Sequence, residues 1–375
     1  MTIDSVGIRA VAVHFPRGVR TNRFWYNHHP EIVAAVEAKK KQRIWAAPER
    51  KPDDAADPND TFDAEMAAYL NDPFRGTIER RVLAPGESSL TLETTVAKKA
   101  MAAAQLEPKD IDLLIVSSFL PDHFGCMDAP YVARDLGLRG MAFNLESACA
   151  SAMVGLQTAC GLVKSGQYRN VLVVASCTYS RDTDTRDTIS WTSGDGAGAF
   201  VVSEVEKGYG RLGGKGIHTG GTCGKLWFEN YARDDGTLWF RLLSSPDAGK
   251  ALRDTAAEFL LECCHGALRD AGVTLNDIDH FVFNTPVAWY SKFCARTLGI
   301  DPERPIVNTY PKYANCGPAL LTSNLYHAAR EMPFKKGDLV LMYSVGSISS
   351  AGAIVVRWGD VALGPEPEPP EIVCD

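Results

Sequence analysis

The chain alternates two hydrophobic periods, and that alternation restricts its fold more than any other feature. "GIRAVAVHFP" reads as a strand stopped by a proline, and "SLTLETTVAKKAMAAAQL" carries helical spacing. "DIDLLIVSSF" is a continuous apolar run of strand length. "APYVARDLGL" is helical and stops at Gly137, and "MAFNLESA" returns to strand. "ASAMVGLQTACGLVKSG" is helical and closes at Gly166, and "NVLVVASC" and "GAGAFVVSE" are strands again. Strands alternating with helices predict an α/β fold with a mostly parallel sheet, because parallel neighbours need a long crossover, usually a helix.

The second half repeats the scheme. "DTAAEFLLECCHGALRDAGV", "SKFCARTLGI" and "ALLTSNLYHAARE" are helical, and "DIDHFVFN", "DLVLMYSVG" and "AGAIVVRWG" are strands. "EPKDIDLLIVSS" and "LNDIDHFVFN" each follow a helix and open a strand with Asp-Ile-Asp. That internal repeat predicts two related βαβ lobes, residues 1–205 and 206–375, with central sheets layered between helices. Residues from about 21 to 81 break the pattern with charge and proline. We read them as an insertion holding two helices, in "PEIVAAVEAKKKQRIW" and "TFDAEMAAYL", around a mobile stretch near 47–60. The Pro/Glu-rich tail "GPEPEPPEIVCD" is expected to be loose.

Composition excludes several function classes. A net charge of −7 with no basic block argues against nucleic acid as a partner. No apolar run reaches the roughly 18 residues a bilayer span needs, and the N-terminus lacks a secretory pattern. The ten cysteines include no CxxC pair, and Cys263 and Cys264 are adjacent. They read as reduced thiols in a cytoplasmic protein, with no metal expected.

One thiol stands apart. Cys149 lies where a strand pattern meets a helix pattern, flanked by Ser147, Ala148, Ala150, Ser151 and Ala152. Small neighbours let a substrate approach the sulfur. A helix N-terminus favours a thiolate, and the backbone N–H of such a turn can face a developing oxyanion. A buried structural cysteine fits the same residues, and the junction alone does not decide between the two. The glycines of "SGDGAGA" (193–199) lack both the lysine of a P-loop and GxGxxG spacing, so they read as sites of close backbone packing.

The phrases "ERRVLAPGESS", "DIDLLIVSSFLPD", "ACASAMVGLQTACGLVKSG", "NVLVVASCTYSRDTDTRDT", "SGDGAGAFVV", "DIDHFVFN", "YANCGPA" and "GDLVLMYSVGSISSAGA" occur in one order over residues 79 to 357. In that order the chain resembles the thiolase superfamily, and most closely its β-ketoacyl-ACP synthase III branch. The resemblance implies a thiolase-like fold and a homodimer. It also implies that Cys149 carries an acyl group as a thioester, and that Asn315 contacts the second substrate's thioester. The family's histidine would fall at Asn284. His280 lies roughly 13 Å away along an extended chain and reads as an ordinary strand residue. "FNTPVAWY" is also similar to hydroxymethylglutaryl-CoA synthases, which again carry histidine where this chain has Asn284. An asparagine can donate hydrogen bonds to a carbonyl but cannot move a proton. Gly346 would supply the second oxyanion N–H, with Ser344, Ser347 and Ile348 replacing the family's glycines.

A base for an oxygen or nitrogen acceptor would then come from elsewhere. His123 in "FLPDHFGCMD" is one candidate and Asp122 the alternative, although a solvated loop histidine is the plainer reading of His123. Arg181 and Arg186 are candidates for a CoA or carrier phosphate, and Trp289 for the wall of an acyl tunnel. The expectation is an acyltransferase of ketosynthase III type in specialised metabolism. It would take acyl groups from acyl-CoA or acyl-carrier protein, with a phosphopantetheine thioester as substrate and no tightly bound cofactor. The acceptor would be a malonyl-type carbanion or the hydroxyl or amine of a natural-product intermediate. A hydroxymethylglutaryl-CoA-synthase-like condensation and a non-catalytic partner subunit are the alternatives.

Overall fold

Two sheets carry the architecture. The computed structural model describes residues 3–42, 60–232, 236, 238–346 and 348–375, and elements are numbered in chain order. The larger sheet runs β14 (Ala362–Leu363), β1 (Val6–His14), β7 (Asp195–Glu204), β6 (Asn170–Thr178), β4 (Leu113–Phe119), β5 (Met141–Asn144). The smaller runs β11 (His280–Phe283), β12 (Leu339–Gly346), β13 (Ser350–Arg357), β8 (Gly210–His218).

The sheets are mixed, which corrects the expectation of a mostly parallel one. β6 is parallel to β4, but β7 is antiparallel to both β1 and β6. In the smaller sheet β12 is parallel to β11, but β13 is antiparallel to both β12 and β8. β13 begins four residues after β12 ends, too soon for a crossover, and so returns antiparallel; β7 follows β6 after residues 179–194, which hold two 3-10 turns and no α-helix, and also returns antiparallel.

The internal repeat is real at the level of hydrogen bonds. The run β1-β7-β6-β4 matches β8-β13-β12-β11 in order and direction. The two Asp-Ile-Asp phrases precede the equivalent strands β4 and β11. The Asp112 N–H bonds the carbonyl of Asn170, first residue of β6, at 3.0 Å. The Asp279 N–H bonds that of Leu339, first residue of β12, at 2.8 Å. Each carboxylate then accepts from the partner strand's first N–H, Asp112 from Asn170 at 3.1 Å and Asp279 from Leu339 at 2.8 Å. The motif is a register pin, tying β4 to β6 and β11 to β12 at one residue each.

Helices fill three layers. α6 (Ser151–Lys164) and α10 (Leu320–Glu331) lie between the sheets, contributing Met153, Leu156, Leu321 and Leu325 to one core shared with β1, β6, β12 and β13. α4 (Ser89–Ala103) and α5 (Ala129–Leu136) cover the outer face of the larger sheet, and α7 (Ala248–Ala271) and α8 (Tyr290–Leu298) that of the smaller. Gly137, Gly166 and Gly299 close their helices in the left-handed region, as their sequence positions predict. The glycines of 194–198 are sites of close approach: a Cβ on Gly194 would lie 2.1 Å from the Tyr313 carbonyl oxygen, and one on Gly198 would meet Thr322.

The insertion forms α1 (Arg23–His28), α2 (Pro30–Gln42) and α3 (Asp60–Ala67). The stretch read as mobile lies almost wholly outside the described residues. Trp25 of α1 is fully buried against Phe74 and Trp191, and its indole N–H bonds the Thr185 carbonyl at 2.9 Å. α3 docks on α8 through Phe62 and Phe293, and Arg253 of α7 pairs with Asp63 at 2.6 Å.

The tail is tied down, against expectation. β15 (Ile372–Val373) pairs with β2 (Gly18–Thr21), which pairs with β3 (Glu79–Val82). Arg81 bonds the Pro16 and Glu368 carbonyls, and the Asp375 carboxylate accepts from the Thr21 N–H and hydroxyl, each at 2.6 Å. A polar composition predicts looseness only when no edge strand is free to accept the segment. Strands β9 (Leu226–Ala232) and β10 (Leu238–Ser244) form a hairpin that the alternation pattern did not announce. A short helix, α9 (Tyr310–Tyr313), precedes Asn315.

Glu93 of α4 is a buried acid under β4 and β6. The hydroxyls of Ser118 and Ser176 both donate to its Oε1 at 2.6 Å, while Oε2 has no partner. Desolvation, reinforced by Asp128, raises its pKa well above the usual range. The folded state therefore holds a proton that the unfolded chain releases above about pH 4.3. This stabilisation is full below the unfolded pKa and declines as pH rises, by up to about 1.4 kcal/mol per pH unit for one proton. Glu93→Gln keeps an oxygen for both serines and has no such slope. Thermal denaturation should show the variant gaining on the wild type between pH 5 and pH 8; a constant difference would mean that Glu93 ionises as freely folded as unfolded.

Candidate active site

The nucleophile turn is built by local polar bonds. After β5, residues Ala148–Ala150 form a 3-10 turn that leads directly into α6. Ala148 takes φ +49°, a left-handed conformation costly for a residue with a Cβ. The Ser151 hydroxyl holds it there, accepting from the Ser147 N–H at 2.7 Å and donating to the Ala148 carbonyl at 2.7 Å. The Ser344 hydroxyl donates to the Cys149 carbonyl at 3.2 Å. Gly346 closes on the same turn: a Cβ there would lie 2.5 Å from the Ser147 carbonyl oxygen and 2.9 Å from the Ala150 nitrogen. Its place beside Cys149 is as the resemblance implies, and its lack of a side chain is a steric requirement.

Asn315 comes to the turn from the second lobe. Ala314, just before it, also has positive φ (+55°), so both residues are preceded by a strained alanine. The Asn315 N–H bonds the Thr192 carbonyl at 2.8 Å, and its carbonyl accepts from the Gly194 N–H at 3.0 Å. Its side-chain oxygen accepts from the Gly317 N–H at 2.9 Å. That bond fixes the amide with its NH2 pointing the other way, as a donor. The 3-10 turn Gly317–Ala319 packs on the turn that carries Cys149. The insertion buttresses this arrangement, because Trp191, packed on Trp25, adjoins Thr192.

Burial works against ionisation of the sulfur. Cys149 is partly accessible, but burial of its sulfur pushes the thiol up to about 11. The nearby Tyr179 side chain and the turn's own backbone oppose the shift and do not reverse it. Burial thus works against the ionisation that a position at a helix start favours. Cys177 and Cys316, both fully buried, lie close by, and burial raises their thiols further still.

The other sequence candidates are distributed differently. Asn284 is fully buried, and its amide closes on one residue: Nδ2 donates to the Val345 carbonyl at 3.0 Å, and Oδ1 accepts from the Val345 N–H at 3.2 Å. It extends the pairing of β11 with β12 by one side chain. His280 bonds Asp338 at 2.9 Å and stacks on Phe334, an ordinary strand residue. His123 donates from Nδ1 to the buried Asp128 at 3.0 Å and stacks on Tyr131, centroids 3.6 Å apart. Asp122 pairs with Arg181 and accepts from the Leu90 N–H at 3.1 Å. Arg181 also bonds the Pro121 carbonyl at 2.8 Å, so its guanidinium anchors the loop after β4. Arg186 is exposed and forks onto Asp184. Trp289 packs on Phe62 and Tyr69 next to the insertion. The structure thus brings Gly346 and the turn that follows Asn315 against the turn that carries Cys149, and gives Asn284, Arg181 and Trp289 internal partners.

Two residues escaped the sequence reading. Asp128 is the carboxylate behind His123. Tyr179 directly follows β6, beside the parallel strand β4, and its ring lies against the Gly317 turn that packs on the turn of Cys149. Side chains at the carboxyl ends of such strands are where α/β folds place function, and that rule could have flagged it. Among the described residues no group of three metal-binding side chains occurs, and no helix is long and apolar enough to cross a membrane.

Comparison with known proteins agrees with this geometry. The 3-oxoacyl-[acyl-carrier-protein] synthase III family matches residues 143–221, and its C-terminal family matches residues 268–358. The β-ketoacyl-[acyl-carrier-protein] synthase III of Desulfitobacterium hafniense is 31% identical over 314 residues, covering 79% of this chain and 92% of the relative. That of Brucella suis is 30% identical over 291 residues, 76% and 88% of the two chains. The chain belongs to the β-ketoacyl-ACP synthase III family, within the thiolase superfamily, and is an acyltransferase of the condensing type. The fold of the priming β-ketosynthase from the R1128 polyketide pathway superposes with a TM-score of 0.77 at 22% identity, over 96% of this chain and 98% of that one.

Proposed function

We propose that Cys149 takes an acyl group from a CoA or carrier-protein thioester and passes it to a malonyl-type second substrate in a decarboxylative condensation. The observation that supports this most is the meeting of the two lobes: a partly accessible thiol on a strained turn, packed against the turn that follows Asn315. The loaded acyl carbon sits on the sulfur, and the Asn315 NH2 holds the second thioester carbonyl as carbon dioxide leaves and an enolate forms. No imidazole shares that task, because position 284 holds an asparagine closed on Val345. The relatives' names, β-ketoacyl-[acyl-carrier-protein] synthase III, support carrier-linked substrates. A second copy of the chain fits the free edge of β5, where Met141 is exposed.

A second reading has one observation behind it. With Nδ1 donated to buried Asp128, the His123 Nε2 is left as an acceptor, the arrangement of a general base. Transfer to a hydroxyl or amine needs such a base and a condensation does not.

The test is intact and native mass measurement after incubation with a panel of acyl-CoAs, followed by malonyl-CoA. An adduct on the Cys149 peptide, lost with carbon dioxide release when malonyl-CoA is added, is expected. An adduct that malonyl-CoA leaves in place, but an alcohol or amine discharges, would favour the second reading. No adduct with any CoA or carrier donor would overturn both. The same spectra read the copy number.

A further inference from the structure

The turn that carries Cys149 holds a backbone donor in reserve. The carbonyls of Ser147, Ala148 and Cys149 are all paired, and so are the N–H groups of Ser147 and Ala150. Among the described residues the Cys149 N–H donates to no other residue. An unpaired N–H beside a partly accessible thiol is placed for a substrate oxygen.

We propose that Ser151 is a positioning residue for the reaction: its hydroxyl grips the backbone on both sides of Ala148 and so aims the Cys149 N–H at the carbonyl oxygen of the acyl group on sulfur. The inference rests on the covalent role assigned to Cys149 above.

Peptide geometry links the two groups. A peptide unit is planar, and in its trans form the C=O and N–H point opposite ways; no cis bond occurs among the described residues. The Cys149 N–H shares its peptide with the Ala148 carbonyl. The Ser151 hydroxyl donates to that carbonyl at 2.7 Å, and the Ser151 N–H bonds it as well. The carbonyl is thereby drawn toward the first turn of α6, and the N–H is turned away from the helix. The same hydroxyl accepts from the Ser147 N–H at 2.7 Å. One oxygen thus spans the strained residue and holds a peptide before it and a peptide after it. Ala148 at φ +49° does not rest there unaided. Without the hydroxyl it relaxes toward negative φ, the peptide rotates, and the Cys149 N–H swings off its line. Ser151 is fully buried, so it acts through the backbone and not on the substrate. Ala150 and Ala152, on either side and equally buried, fill their space with methyl groups alone.

In each half-reaction a nucleophile bonds to the acyl carbonyl carbon and the C=O π pair moves onto oxygen. The pair returns as the bond to the leaving sulfur breaks, and the departing thiolate takes up a proton. The Cys149 N–H donates to the oxygen while it is anionic and keeps its own proton throughout. Such a donor contributes only as much as its aim allows.

The test compares two reactions of one sulfur in wild type and Ser151→Ala. Acyl loading from the acyl-CoA panel passes through an oxyanion; alkylation by iodoacetamide does not. Ser151→Ala should slow loading about tenfold to a hundredfold. Alkylation should stay at the wild-type rate, followed on the Cys149 peptide because Cys126 and Cys223 are exposed. In the acyl-enzyme made from the same donors carrying ¹³C at the carbonyl, the infrared carbonyl band should move to higher frequency in the variant, because an aimed donor weakens the C=O bond. Adding Ala148→Gly to Ser151→Ala removes the strain, since glycine takes positive φ freely. That double variant should recover the melting temperature but neither the band nor the loading rate, and it carries the test if Ser151→Ala alone does not fold. Equal slowing of loading and alkylation, or an unmoved carbonyl band, overturns the inference and leaves the covalent reading standing. Wild-type protein that takes no acyl group from any donor overturns the covalent reading and this inference with it.

Discussion

Cys149→Ala is expected to abolish the acyl adduct and to lower turnover by about 10⁴-fold or more, the largest effect of any single change in this chain. The argument is one of missing substitutes. Cys177 and Cys316 lie next to Cys149, but both are fully enclosed and hold their protons more tightly. Neither can attack a thioester in its place. The fold should survive: the turn is held by Ser147, Ser151 and Ser344 through backbone atoms, and alanine matches its neighbours on both sides. A melting temperature close to wild type would show that the loss is chemical. The result also separates an enzyme from a partner subunit that only shapes a tunnel. Turnover surviving in the alanine variant would remove sulfur from the mechanism and favour the subunit.

The lobes, their internal repeat and the nucleophile were legible for a common reason. Each is written in a contiguous phrase: a strand in its apolar run, a helix end in its glycine, Cys149 in a set of small neighbours. What was not legible depends on who sits next to whom. The antiparallel return of β13 follows from a short connection that periodicity does not weigh, and that of β7 from a longer connection that forms 3-10 turns in place of a crossover helix. The tail looked loose because its strand is two residues long and its partners, Thr21 and Arg81, lie about 300 positions away. The burial that opposes ionisation of Cys149 was not legible, because a helix terminus is visible in sequence and desolvation is not. Arg181 looked like a phosphate ligand until the loop carbonyls and Asp122 came into view around it.

The two asparagines make the same point and set the second large effect. In sequence Asn315 and Asn284 are equivalent amides, each placed by the resemblance near a thioester. In the structure they have opposite jobs. Asn315 fixes its oxygen on Gly317 and leaves its NH2 as a donor, so Asn315→Ala should slow the second half-reaction about 10²- to 10³-fold with a small stability change. Acyl loading should be affected less, because the sulfur and its backbone N–H remain. Asn284→Ala should do the reverse. It leaves the buried N–H and carbonyl of Val345 without partners, at a cost of about 2–4 kcal/mol, and loosens the end of β12 just before Gly346. Asn284→His should also cost stability, because an imidazole in that fully enclosed position cannot meet both Val345 groups as an amide does. Single-turnover rates and melting curves on the three variants distinguish the roles. A histidine variant that decarboxylates malonyl-CoA faster at an unchanged melting temperature would show that the side chain at 284 faces the substrate after all.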